Sequence, residues 1–289
     1  MTSSPSQRLE PNPKAIIGSI VGGGVFVIAP TWLSSMSFSA AAVPLVGMVT
    51  GFLLSAIVTA YLSEDETVAE PYIGAIVTAV AAYLLFSNAS LPGFAQAQAD
   101  GQFEPLFILT VVNGLVATLA GAWTGEKLQR TYATSPPSAM AWGWIMAGSI
   151  LGMGLVMFFI GPLVWLSGMF SGPDMVIAPS KVWLLIVALA IGTGVSGFLS
   201  AFRSPGDTAG ETILSGLVAT TLLFDLFYFG LGGSEIVSSM GLAAALGASL
   251  VASLVGGLFG EATQDRVERA ARKRAAAAPE AQQPRSTGA

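Results

Sequence analysis

The chain contains no cysteine and no histidine. The first absence excludes disulfides, thiolate nucleophiles and cysteine-based metal sites; the second excludes imidazole ligands, His-ligated haem and the Ser-His-Asp triad. Charge is also scarce, since only 10% of the 289 residues are Asp, Glu, Lys or Arg, where a soluble globular domain carries about 25%. In their place the chain is 53% hydrophobic, with a mean hydropathy of +0.70. Most enzyme chemistry is thereby removed, and the expectation is a non-catalytic membrane protein with no cofactor, no metal and no nucleic-acid partner.

The distribution of the charges says more than their number. Residues 15–63, 71–99, 105–125, 131–173, 182–202 and 236–260 hold none. A spanning helix needs about 20 apolar residues, because a core about 30 Å thick is crossed at about 1.5 Å per residue. Breaking the long gaps at polar or Pro/Gly-rich points predicts an all-α, polytopic fold of about eight spans: 15–33, 42–62, 71–87, 105–124, 143–166, 182–202, 211–230 and 236–259. Ser34 to Ser37 is read as the break after the first span, and 88–104 as a flexible outer loop.

Eight spans put both termini on one side. That side then collects eleven of the twelve basic residues, and the other keeps only Lys181. By the positive-inside rule the termini are cytoplasmic and the protein is a multi-pass component of the cell membrane. Arg8 and Lys14 ahead of a full-length apolar run read as a retained first helix.

Short matches recur in order along the two halves. Gly18 to Gly24 resembles Gly148 to Gly154, Gly51 to Ala56 resembles Gly197 to Ala201, Glu66 to Glu70 resembles Asp207 to Glu211, and Gly114 to Glu126 resembles Ser249 to Glu261. The expected organisation is a cytoplasmic tail (1–14), two four-helix repeats (15–130 and 131–260), and a cytoplasmic basic helix with a disordered end (261–289). An even number of spans per repeat makes the two repeats parallel, about a pseudo-twofold axis along the membrane normal.

In lipid, burying apolar surface against another helix gains little, so close backbone approach must hold the bundle together. Small residues four apart permit that approach. The pairs Gly18 and Gly22, Gly47 and Gly51, Gly121 and Gly125, Gly148 and Gly152, and Gly256 and Gly260 are the candidate packing positions. Thr67 with Glu70 and Thr208 with Glu211 have capping-box spacing. Glu126 and Glu261 stand at helix C-terminal ends, where the dipole disfavours an anion. All four glutamates are candidate cytoplasmic-rim carboxylates. Asp225 is the one charge set well inside a predicted span, at a cost of about 2.5 to 3.5 kcal/mol if it sits at the bilayer centre; functional and structural readings of it both stay open. Asn113 is expected to hydrogen-bond between helices. Arg266, Arg269, Arg272, Lys273 and Arg274 form a juxtamembrane cluster suited to anionic lipid headgroups.

A Gly-rich span carrying Gly-Phe-Leu-Leu-Ser or Gly-Phe-Leu-Ser, then an acidic turn, then another small-residue span occurs at Gly51 to Ala56 with Glu64 to Gly74, and again at Gly197 to Ala201 with Asp207 to Gly216. This pattern resembles small-residue-rich polytopic membrane proteins of halophilic archaea, and a pI near 4.7 agrees with a high-salt cytosol. The resemblance implies a multi-span helical fold and no particular activity. Two function classes remain: a structural or assembly subunit that packs against a membrane protein or a second copy, and a small-solute or ion transporter with its path at the repeat interface.

Overall fold

Backbone amides in hydrocarbon have no water to bond, so long uncharged runs rich in Ala, Leu, Val and Gly satisfy them as helices. The computed structural model describes residues 13–37, 41–63, 69–129, 141–167, 179–204, 209–230 and 239–277, and every regular element among them is helical. α1 (Pro13–Gly23) passes through a π-helical turn (Gly24–Ile28) into α2 (Ala29–Ser37). There follow α3 (Ala42–Leu62), α4 (Ala69–Asn88), the short α5 (Pro92–Ala99), α6 (Phe103–Gln129), α7 (Trp142–Ser167), α8 (Val182–Arg203), α9 (Ala209–Gly230) and α10 (Ser239–Ala277). Among the described residues seven stretches are long and apolar enough to cross a membrane: Pro13–Ser37, Val43–Leu62, Ala69–Asn88, Phe103–Gln129, Trp142–Ile160, Val182–Arg203 and Met240–Lys273. The chain is a polytopic helical membrane protein.

Two breaks expected from composition are helical. Ser34, Ser35 and Ser37 donate to the carbonyls of Thr31, Trp32 and Leu33, so the serine run satisfies itself within α2 instead of ending it. Between residues 88 and 104 the chain is not a loose connection but α5. Phe94 is fully buried and packs on Phe86 and Phe103 at ring separations of 5.4 and 5.5 Å, and Gln98 donates to the Phe86 carbonyl at 3.0 Å.

The π turn also has a local cause. Pro30 lacks the N–H that would bond the Phe26 carbonyl four residues back, and the ladder instead closes from Ala29 to Gly24. Gly51 of α3 lies against the Phe26 carbonyl.

Helices of the N-terminal half pack as α1 on α4 and α3 on α6; in the C-terminal half, α7 packs on α9 and α8 on α10. Gly121 and Gly125 of α6 meet the Leu53 and Ile57 carbonyls of α3, while Gly256 and Gly260 of α10 meet the Gly194 and Phe198 carbonyls of α8. The matched segments Gly51 to Ala56 and Gly197 to Ala201 make different contacts. Gly51 faces Phe26 and Val27 as Gly192 faces Val156, whereas Gly197 faces Ser253. The two halves meet where α2, α3 and α6 pack on α7, α3 on α9 and α6 on α8.

Candidate functional site

Most of the charged groups near the bundle gather at one end. There α3 and α8 finish in extended C-cap residues, Ser63 and Ser204, whose amides bond the Thr59 and Ser200 carbonyls at 3.0 and 2.9 Å. A helix C-terminus leaves carbonyls without donors, and a glutamine from the neighbouring helix supplies one in each case. Gln129 Nε2 donates to the Ser63 carbonyl, and Gln264 Nε2 donates to the Ser204 carbonyl at 3.3 Å.

Glu211 Oε1 accepts from the Ala141 amide at 3.0 Å, so it caps the start of α7, an adjacent helix. Orphan amides and the positive dipole end both favour a carboxylate there. Glu70 is buried in the first turn of α4, while Glu126 and Glu261 are half-buried. Thr67 and Thr208 lie outside the described residues.

Two cations close the same end across the halves. Lys127 Nζ of α6 stands 4.9 Å from the Trp144 ring centre of α7 and 5.7 Å from that of Trp123. Arg203 of α8 lies over Tyr61 of α3 at 5.2 Å and donates to its hydroxyl. Sequence reasoning missed both contacts, although Lys127, Arg203 and the aromatic partners were visible; only the fold shows that they converge.

Below this rim the seam between the halves is apolar. Leu53, Leu54 and Ile57 of α3 and Leu128 of α6 pack with Trp144 and Leu151 of α7, and Phe26 meets Phe158 at 5.3 Å. A cavity of about 20 Å³ remains, bounded by Phe26, Pro30, Gly47, Thr50, Met157 and Ile160. Since one water needs about 10–15 Å³ of such space, this cavity has room for roughly one.

Hydroxyls are numerous inside each half, and many bond helix carbonyls. Ser55 donates to the Ser19 carbonyl at 3.3 Å, Ser196 to that of Gly148 at 2.6 Å, Ser149 to that of Ser215 at 3.2 Å, and Ser253 to that of Thr193 at 3.1 Å. These groups link neighbouring helices and line no channel among the described residues.

The intramembrane candidates point outward. Asn113 is exposed because the next residue, Gly114, faces Phe52, and one step around a helix is about 100°. Asp225 is exposed because Leu223, about 200° away, is in the core with Val156 and Leu184. Neither serves the interior. Of the ten packing glycines, Gly22, Gly51, Gly121, Gly125, Gly148, Gly152, Gly256 and Gly260 lie against a neighbouring helix, but Gly18 and Gly47 have open space where a side chain would go. Gly23, Gly74, Gly114, Gly192, Gly216 and Gly257 are further close approaches that the four-residue spacing did not single out.

In the basic cluster, Arg269 pairs with Asp265 at 3.1 Å and Arg272 with Glu268 at 3.3 Å, all well exposed. Arg266 and Lys273 are exposed, and the Arg274 side chain lies outside the described residues. No group of His, Cys, Asp and Glu suited to a metal ion occurs among the described residues. No protein-family model, no curated protein and no solved structure matches the chain.

Proposed function

We propose that the protein is a non-catalytic structural or assembly subunit of the cell membrane, built from eight spans in two parallel four-helix units with both termini in the cytoplasm. The observation that carries this reading is the filled seam. A transporter with its path between the units needs polar groups facing a hydrated interface, yet this interface is closed by Leu, Phe and Trp below two cation–aromatic contacts.

Recurrent contacts support the duplication. Ser55 and Ser196 each donate to a carbonyl on the first helix of their half, Gln129 and Gln264 each serve a C-cap serine, and the glycine pairs of α6 and α10 meet α3 and α8 alike. The α9 helix, 22 residues with Glu211 near its start, supplies the eighth span. Lipid-facing surface and the exposed cytoplasmic part of α10 are then the parts available to partners, anionic headgroups included.

Flux measurement tests the reading. Reconstituted into liposomes, the chain should leave proton, potassium and chloride leak and the swelling rates of small neutral solutes equal to those of empty vesicles. In mild detergent extracts of native membranes it should migrate in an assembly well above its own 29.6 kDa. Solute flux that a bulky substitution at Leu151 blocks would establish the transporter alternative instead.

A further inference from the structure

A groove of about 370 Å³ lies between α4 and α6, on a face turned to lipid. Its walls are Ala79, Val80, Ile108 and Val112, with the last three more than half exposed. At its mouth the Tyr83 hydroxyl donates to Glu104 Oε1 at 3.2 Å. This volume falls within the range of about 300–1,000 Å³ typical of small-molecule sites.

The opening has a cause in the sequence. In the C-terminal half, Thr220 donates to Ser249 at 2.8 Å and ties α9 to α10, while Gly216 and Gly257 let the two helices close up. In the duplicated register Ala79 and Gly114 take the places of Thr220 and Ser249. No hydroxyl pair is available there, and Phe52 of α3 fills the space beside Gly114. That comparison rests on the duplication reading; the groove itself does not.

Its chemistry narrows the occupant. Glu104 is in the first turn of α6, where the helix dipole stabilises a carboxylate, and Val112 lies about 12 Å further along the helix by its rise. An anionic group thus stands directly on an apolar wall. A phospholipid sets a phosphate between its hydrocarbon and any amine, which would oppose the Glu104 carboxylate. A hydrocarbon that carries its ammonium directly meets no such opposition: its N–H groups donate to Glu104, and the Tyr83 oxygen can accept another.

We propose that the α4–α6 groove is a binding site for lipophilic primary amines, with the head on Glu104 and Tyr83 and the chain along Val80, Ile108 and Val112. The test uses the full chain in phosphatidylcholine nanodiscs and a twelve-carbon primary amine spin-labelled near its chain end. A motionally restricted signal should saturate at one amine per chain and be displaced by dodecylamine. Losing one charge-assisted hydrogen bond weakens binding by about tenfold or more, so dodecanol should compete about tenfold less well and Glu104→Gln should lower affinity similarly. Ile108→Trp, on the lipid face, should remove the signal by filling the groove. A signal that does not saturate, equal competition by dodecanol, or equal displacement by phosphatidylethanolamine would overturn the proposal in favour of ordinary boundary lipid. The competition series on the unaltered chain and the Ile108→Trp variant decide the matter even if Glu104→Gln fails to fold.

Discussion

A single methyl group decides whether α3 and α6 can meet at Gly121, because its added Cβ would collide with the Leu53 carbonyl, a backbone atom that cannot swing aside. Overpacking of this kind costs about 1–3 kcal/mol, so Gly121→Ala should unfold at a distinctly lower temperature in detergent. Gly18→Ala, with open space at the same place, should be neutral or slightly stabilising. At the crossing of the first and third helices the halves solve one steric problem in opposite ways: Ser19 faces Gly74, whereas Gly148 faces Ser215. Gly74→Ser should therefore destabilise alone and be rescued by Ser19→Gly, with a coupling of about 0.5–3 kcal/mol in a double-mutant cycle of thermal unfolding. Glycine at four-residue spacing was readable in the sequence, but not which glycines face a neighbour. A helix that is apolar on every side carries no stripe to show its rotation. The exposure of Asn113, expected to bond between helices, was hidden for the same reason.

Helix ends were the harder part to read from composition. Charge-free gaps located the spans, yet serines that bond their own helix look the same in sequence as serines that end one, so α2 was read short. The π turn was hidden too: Gly22, Gly23, Gly24 and Pro30 advertise an irregular backbone without saying which form it takes. Glu211 illustrates the third difficulty, since local spacing cannot show that it reaches an amide on another helix, at Ala141. Replacing a capping acceptor by alanine costs about 0.5–2 kcal/mol. Glu211→Ala should lower the unfolding temperature and speed hydrogen exchange in the first turn of α7, and Glu211→Gln, which retains an acceptor oxygen, should lose less. Equal effects of the two would assign the role to charge and not to the bond.

For the whole molecule, the basic asymmetry and the proposed count of eight spans make a topology that can be tested without background, because the native chain has no cysteine. A single cysteine at the exposed Gln96 of α5 should react with an impermeant maleimide added outside intact cells, and one at the exposed Arg269 only after permeabilisation. Reversed labelling would invert the orientation. The bundle's architecture was legible as far as its apolar spans went. Register was not, because short Gly- and Ala-rich words match at several offsets and only contacts such as Gly51 with Val27 and Gly192 with Val156 choose among them. The joining of unlike faces also sets an order of assembly. Phe52, Phe86, Phe94, Phe103 and Phe107 form their cluster with partners that all precede residue 129, so the first half can complete its core while the second is still on the ribosome. When α7 enters the bilayer, the surface of α3 and α6 that receives it already stands finished, and the second half folds against a template instead of in search of one.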